Sequence, residues 1–200
     1  MQRSLLLPAL GGLSVTTGEE GPAGGSPLEI YTLGHSTHTI VVFIAMLQTH
    51  AIQQLVDVRS IPGSARNPQF NIETLRRSLA EVQLSYYHLK DLGGLRHPRP
   101  DSPNTGWRNA SFRGYADYML TPAFHIALDQ LIALSSTGKT VIMCAEAVPW
   151  RCHRSLIADA LTIRCVTVQD IISNTQCRRH TLSAMAQVRD GEIYYESAEF

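Results

Sequence analysis

The sequence predicts an α/β domain: a doubly wound, mostly parallel sheet with helices on both faces. Three observations lead there. Short apolar runs alternate with stretches of helical spacing along most of the chain, the pattern of strand–helix–strand units. Polar residues gather at the carboxyl ends of three of the runs, as Gly34-His35-Ser36, Asp57-Val58-Arg59 and Cys144-Ala145-Glu146, where ligands sit in such folds. Finally, 200 residues, of which 44% are apolar, suffice for one core without disulfide or metal staples.

Taken in order, residues 1–27 are rich in Gly, Pro and Ser. That composition cannot offset chain entropy by burial, so a flexible leader is expected there, ahead of a single domain over 28–200. Leu28 to Leu33 reads as a strand, and Gly34-His35-Ser36-Thr37 as a turn with helix-capping residues. Ile40, Phe43, Ile44 and Leu47 recur at helical spacing, and Gln54 to Val58 is a second buried strand. A helix is expected from Ile72 to Leu84 and a strand from Ser85 to Leu89. Residues 90–114, rich in Gly, Pro and Asn, read as a long loop. Pro122 opens a helix to about Ser135. Thr140 to Cys144 is a fourth strand, a helix follows from Cys152 to Ile163, and Val166 to Ile172 is a short strand. From Gln176 a last helix with irregular chain is expected.

Charge and cysteine usage narrow the classes. The 17 basic residues balance the 17 acidic ones, so no whole-protein field draws the chain to nucleic acid. Cys144, Cys152, Cys165 and Cys177 form no C-x-x-C pair and read as reduced thiols in a reducing compartment. No apolar run approaches the roughly 18 residues a membrane helix needs. Pro8 and Gly11-Gly12 interrupt the only signal-like stretch, so a cytoplasmic protein without membrane contact is expected.

Several segments are distinctive in their order: Tyr31-Thr32-Leu33-Gly34-His35-Ser36, Leu55-Val56-Asp57-Val58-Arg59-Ser60-Ile61-Pro62, Asn67-Pro68-Gln69-Phe70, Leu92-Gly93-Gly94 and Ser111-Phe112-Arg113-Gly114-Tyr115. Met143-Cys144-Ala145-Glu146 followed by Cys152-His153-Arg154-Ser155-Leu156 completes the set. Over about residues 29–185 the chain resembles the family called "domain of unknown function 488". The resemblance implies an α/β fold with a shared cleft and supplies no reaction. Two positions depart from the family's pattern: Ala65-Arg66 stands where paired arginines are usual, and Gln169-Asp170 where the last strand usually carries a His.

The chemistry gathers on the segment from Met143 to Arg154. A helix start offers backbone N–H groups and a positive dipole end, and Arg151 and Arg154 add charge there. That arrangement suits a phosphate or carboxylate, with Arg59 and Ser36 close by on neighbouring strand ends. Internal pairing of the arginines with Glu146 or Asp57 is the competing reading. Glu146, Asp57, His35 and His153 are the candidates for proton transfer or water positioning, each with a structural alternative as a hydrogen-bonded or ion-paired group. Cys144 belongs to the ligand-binding set. As a nucleophile it is disfavoured: Arg151 lies seven residues on, one more than the phosphatase pattern, and Glu146 should raise the thiol's pKa. A metal held by Cys144, Cys152 and His153 is likewise not expected, because neighbours on a helix diverge by about 100°. No cofactor is indicated.

The reading is therefore an enzyme with an anion-accepting cleft, acting on a phosphorylated small molecule, a nucleotide or a nucleic-acid end. The alternative is a non-catalytic nucleic-acid-binding module. It would use Arg96, Arg99, Arg108 and Arg113, interleaved with Trp107, Phe112 and Tyr115, to follow a phosphate backbone and stack bases.

Overall fold

The computed structural model describes residues 27–197, so the expected leader lies, but for Pro27, outside the described residues. A six-stranded sheet forms the centre, built from β1 (Glu29–Gly34), β2 (Gln54–Asp57), β3 (Ser85–His88), β4 (Thr140–Cys144), β5 (Thr167–Ile171) and β6 (Cys177–Arg179). Its order is β3-β2-β4-β1-β5-β6. All pairs are parallel except β5–β6. The fold is thus the expected α/β type, and its strands β2 and β4 are buried throughout, as a sheet covered on both faces requires.

Two helices, α1 (Ile40–Thr49) and α2 (Ile72–Ala80), cover one face; α3 (Ala110–Met119), α4 (Pro122–Ser135) and α5 (Arg154–Ile163) cover the other. Alternation along β4 feeds the two cores in turn. Val141 and Met143 pack with Phe43, Leu47 and Leu75, while Ile142 and Cys144 pack with Tyr115, Phe124 and Leu156. The helix starts carry the expected chemistry: the Thr39 side chain caps α1, and Thr121 caps α4 just ahead of Pro122. Among the described residues no helix is long and apolar enough to cross a membrane.

Four elements differ from expectation. Helix α2 stops at Ala80, because the chain turns back through Gln83 at φ 59° to start β3. The loop over 90–114 ends in the first turns of α3, capped by the Asn109 side chain. Gly114 lies inside that helix because a Cβ there would stand 2.5 Å from the Arg96 carbonyl oxygen; tertiary packing overrides its poor propensity. Helix α5 begins at Arg154, and Cys152 ahead of it is extended at φ −130°, ψ 144°. The tail forms strands instead of a helix: β6 adds to the sheet edge, and β7 (Ala186–Arg189) and β8 (Glu192–Tyr195) make a separate hairpin. Its turn is Asp190-Gly191, both at positive φ (52° and 81°), the two-residue geometry that Asp-Gly favours between paired strands.

The hairpin seats on the α3–α5 face through buried Ile193 and Tyr195. Tyr195 donates its hydroxyl to Asp159 Oδ2 at 2.8 Å, and its backbone N–H to Asn104 Oδ1 at 2.9 Å. Asp159 also accepts from His180 Nε2 at 2.8 Å, and His180 reaches Asp170 Oδ2 at 3.9 Å. Burial alone would lower the His180 pKa; the two carboxylates overcome it and raise the pKa to about 9.

Candidate functional site

Strand order places the cleft. β1 and β4 are neighbours whose connections part over opposite faces of the sheet: β1 leads through α1 on one face to β2, and β4 through α5 on the other face to β5. A crevice opens where such connections diverge, at the carboxyl ends of the two strands. The loops there are laced together. His35 N–H donates to the Cys144 carbonyl at 2.9 Å, and Ser36 N–H to the Ala145 carbonyl at 3.0 Å. Gly34 makes that approach possible: a Cβ on it would lie 1.8 Å from the Glu146 carbonyl oxygen and 2.8 Å from the Arg154 guanidinium.

The crevice is a cleft of about 500 Å³. Ser36, Glu146 and Arg151 line it together with Cys144, Cys152 and His153. Arg66, Asn67 and Ser111, none of them singled out as site residues from the sequence, line it too, with Phe112 and Tyr115, which the sequence offered only to the nucleic-acid alternative. Arg151 is exposed, and among the described residues neither its guanidinium nor that of Arg66 has a carboxylate within ion-pair distance. Glu146 is exposed at the rim, its Oε1 accepting from the Ala147 N–H at 2.9 Å.

The floor consists of two thiols and an imidazole. Cys144 closes β4 with 9% of its surface exposed, and Cys152 is 4% exposed. The proximity of the two thiols, with burial, raises the Cys144 pKa, and the neighbouring thiol holds that of Cys152 well below the usual thiol value. The Arg154 charge pushes Cys152 the same way. His153 Nδ1 stands 3.7 Å from Cys152 Sγ, and its Nε2 lies 3.1 Å from the Val58 carbonyl oxygen. Only a protonated Nε2 can donate to that carbonyl, so Nδ1 presents its lone pair to the sulfur side. The ring rests 5.0 Å, centroid to centroid, from buried Tyr115.

The donor atoms of Cys144, Cys152 and His153 all lie within 4.8 Å of one another. Helical divergence does not separate this pair: Cys152 is extended and only His153 borders α5, so the two side chains converge.

The remaining candidates sit below the cleft, not on its wall. Asp57 is fully buried and accepts from Arg59 through its N–H, Nε and NH2 (3.0, 2.9 and 2.5 Å) and from the Tyr86 hydroxyl at 2.9 Å. Arg59 also donates to the Phe70 carbonyl at 2.8 Å. His35, 2% exposed, stacks on Phe70 and donates from Nδ1 to the Ser36 carbonyl, while its Nε2 faces Arg59 NH1. Burial above all, with the Arg59 and Arg154 charges, lowers its pKa to about 4, so the ring is neutral at pH 7. Arg154 is 1% exposed; it donates to Thr32 Oγ1 at 3.1 Å and to the Glu146 carbonyl at 2.7 Å. It thus ties the loop after β4 to β1.

The arginines of the loop over 90–114 are placed separately. Arg96 lies 3.6 Å above the Tyr118 ring and donates to the carbonyls of Gly93 and Asp91. Arg99 pairs with Asp101 at 2.7 Å. Arg108 is exposed, and Arg113 is half-buried on α3. The structure does not bring these four into the cleft.

Two signals could have found the missed cleft residues. Arg66 and Asn67 sit in the connection leaving the carboxyl end of β2, the edge where ligands bind in this fold class. Ser111, Phe112 and Tyr115 open α3 behind the loop that Gly93-Gly94 lets approach His153; a Cβ on Gly94 would stand 3.0 Å from His153 Nδ1.

A family model described as "Domain of unknown function DUF488" matches residues 39–161. No curated protein and no solved structure matches the chain.

Proposed function

This chain belongs to the DUF488 family, whose model covers more than half of it, and we propose that it is an enzyme whose cleft accepts an anionic substrate. The substrate class is a phosphorylated small molecule, a nucleotide or a nucleic-acid end. One observation carries the reading: two arginines without carboxylate partners among the described residues, Arg66 and Arg151, overlook a cleft floored by polarised thiols and an oriented imidazole. Unpaired guanidinium groups at a rim suit phosphate. Groups with altered acidity inside a concave site are the usual mark of chemistry.

The roles follow from position. Arg151 and Arg66 hold the anion, and Ser36 offers a hydroxyl beside them. Glu146, at the rim, orients a water or carries a proton, and His153 supports the reacting centre from the floor. Arg59, Asp57, His35 and Arg154 act through the loops they brace. Four unpaired cysteines accord with a reducing compartment, and we place the protein in the cytoplasm.

The test is a thermal-shift titration with inorganic phosphate, nucleoside monophosphates and a 5′-phosphorylated oligonucleotide. A ligand that binds only the folded state raises the melting temperature. At least one probe should do so. Arg151→Ala should weaken it about ten- to a hundredfold, the scale of a lost hydrogen bond to a charged group, with the unliganded melting temperature unchanged. An undiminished shift in the Arg66→Ala, Arg151→Ala double variant would sink the reading.

The nucleic-acid module draws less support. Arg96 and Arg99 already have partners within the loop, which leaves Arg108 and Arg113 for a phosphate backbone. Were it correct, affinity for oligonucleotides would fall steeply with salt.

A further inference from the structure

From the placement of Cys144, Cys152 and His153 we infer that the cleft floor is a binding site for a zinc-class divalent cation. Three features of the chain converge on it. First, the spacing is within reach of one ion. Two sulfurs at about 2.3 Å and one nitrogen at about 2.0–2.1 Å from a tetrahedral ion would stand about 3.8 Å apart (S to S) and about 3.6 Å apart (S to N). Cys152 Sγ and His153 Nδ1 are 3.7 Å apart, and all three donor atoms lie within 4.8 Å.

Second, the imidazole is already oriented as a ligand. Its Nε2 donates to the Val58 carbonyl at 3.1 Å, which leaves Nδ1 as the lone-pair nitrogen on the sulfur side. A hydrogen bond on the far nitrogen is what fixes tautomer and ring plane in metal-binding histidines. A histidine serving only to pack would have no need to turn that lone pair toward two thiols.

Third, the surroundings suit a cation of this type and leave a direction open. Two buried thiolates would be costly alone, whereas two thiolates, one neutral imidazole and a doubly charged ion sum to zero. Sulfur and imidazole together select zinc or a neighbouring transition metal over magnesium or calcium. All three residues line the cleft, which gives a fourth ligand a side from which to approach. Three protein ligands with one open position is the arrangement of catalytic sites, not structural ones. Binding exchanges the thiol protons for the ion and releases them to solvent, so affinity rises with pH. An ion there would polarise a substrate oxygen held by Arg66 and Arg151. For that purpose the inference rests on the reading of the cleft as catalytic, although the binding itself needs no substrate.

The experiment uses the full chain, reduced and stripped with a chelator. Cobalt(II) is titrated in first, followed by zinc. The expected result is one equivalent per chain, with a thiolate-to-cobalt charge-transfer band that zinc abolishes. Metal should also shield Cys144 and Cys152, but not exposed Cys165, from alkylation mapped by mass spectrometry. Cys152→Ala and His153→Ala should each weaken zinc at least tenfold. If these variants do not fold, the alkylation map of the parent decides the question. Absence of the charge-transfer band in the reduced parent overturns the inference, as does shielding of other cysteines in place of this pair. So does a Cys144–Cys152 disulfide that forms in air while the reduced protein ignores both metals. Metal binding with no phosphate-dependent thermal shift would defeat the substrate reading and leave the metal site standing.

Discussion

The carboxyl edge of the sheet holds two clusters with similar side chains and opposite states. Under β2, Asp57, Arg59 and His35 form a closed set. Every Asp57 oxygen accepts at least one bond, Arg59 spends its donors on Asp57, Phe70 and His35, and each of the three is at most 6% exposed. Beyond β4, Arg151 and Glu146 stand exposed, and the Cys144–Cys152–His153 floor has groups facing a cleft. Satisfied polar clusters specify geometry, whereas those left with capacity are equipped to meet something else. Residue type does not separate the two, since each has arginine, carboxylate and histidine. Closure does.

Breaking the closed cluster should have the largest effect. Asp57→Asn leaves Arg59 buried without its counter-charge, and losing one partner of a buried pair costs about 3–5 kcal/mol. Urea unfolding should show a loss on that scale; a change under about 1 kcal/mol would mean that water reaches Arg59 and the cluster is not closed. The open cluster should respond in the other currency. Glu146→Gln should keep the parent's melting temperature, because the side chain is exposed, while lowering turnover of a phosphorylated substrate by about 10²–10⁴-fold. Unchanged turnover in a stable variant removes Glu146 from the chemistry.

The smallest effect is in pH. His35, with its pKa lowered to about 4, stays neutral in the folded chain while its unfolded counterpart gains a proton below about 6.5, so stability falls as pH drops through that window. His180, raised to about 9, holds a proton that the unfolded chain loses above about 6.5, so stability falls as pH climbs toward 9. The melting temperature should therefore peak between these arms, near neutral to slightly acidic pH. His180→Gln should flatten the alkaline arm alone. An alkaline arm that survives the substitution would assign it to another group.

Much of the frame was legible. Strand β4 matches its expected span, α4 runs from Pro122 to Ser135 as its proline indicated, and the polar strand ends mark the right edge. Periodicity and caps are local signals, and these elements obey them. Helix α3 was not legible because packing of Gly114 against the Arg96–Pro98 backbone sustains it. The hairpin had a readable signal in Asp190-Gly191, which the polar tail around it obscured. Within the site, the sequence brought Glu146, Arg151, Ser36, Cys144 and His153 to one cleft but could not separate buried Arg59 and Arg154 from exposed Arg151. Burial depends on what packs above a residue, and that came from distant Phe70 and from the loop after β4. The convergence of Cys152 with His153 depended on one extended residue that helical periodicity hid.

The seating of the β7–β8 hairpin bears on the order in which this protein can be completed during synthesis. Asn104 and Asp159 are buried, yet part of their hydrogen bonding comes from His180 and Tyr195. Those partners leave the ribosome after both. Until they arrive, the layer over α3 and α5 carries a carboxylate and an amide facing water, and it cannot close. The nascent chain should therefore stay open on this face and close in one late step. Chaperones that survey emerging chains would find their target here, on the side of the sheet opposite α1 and α2.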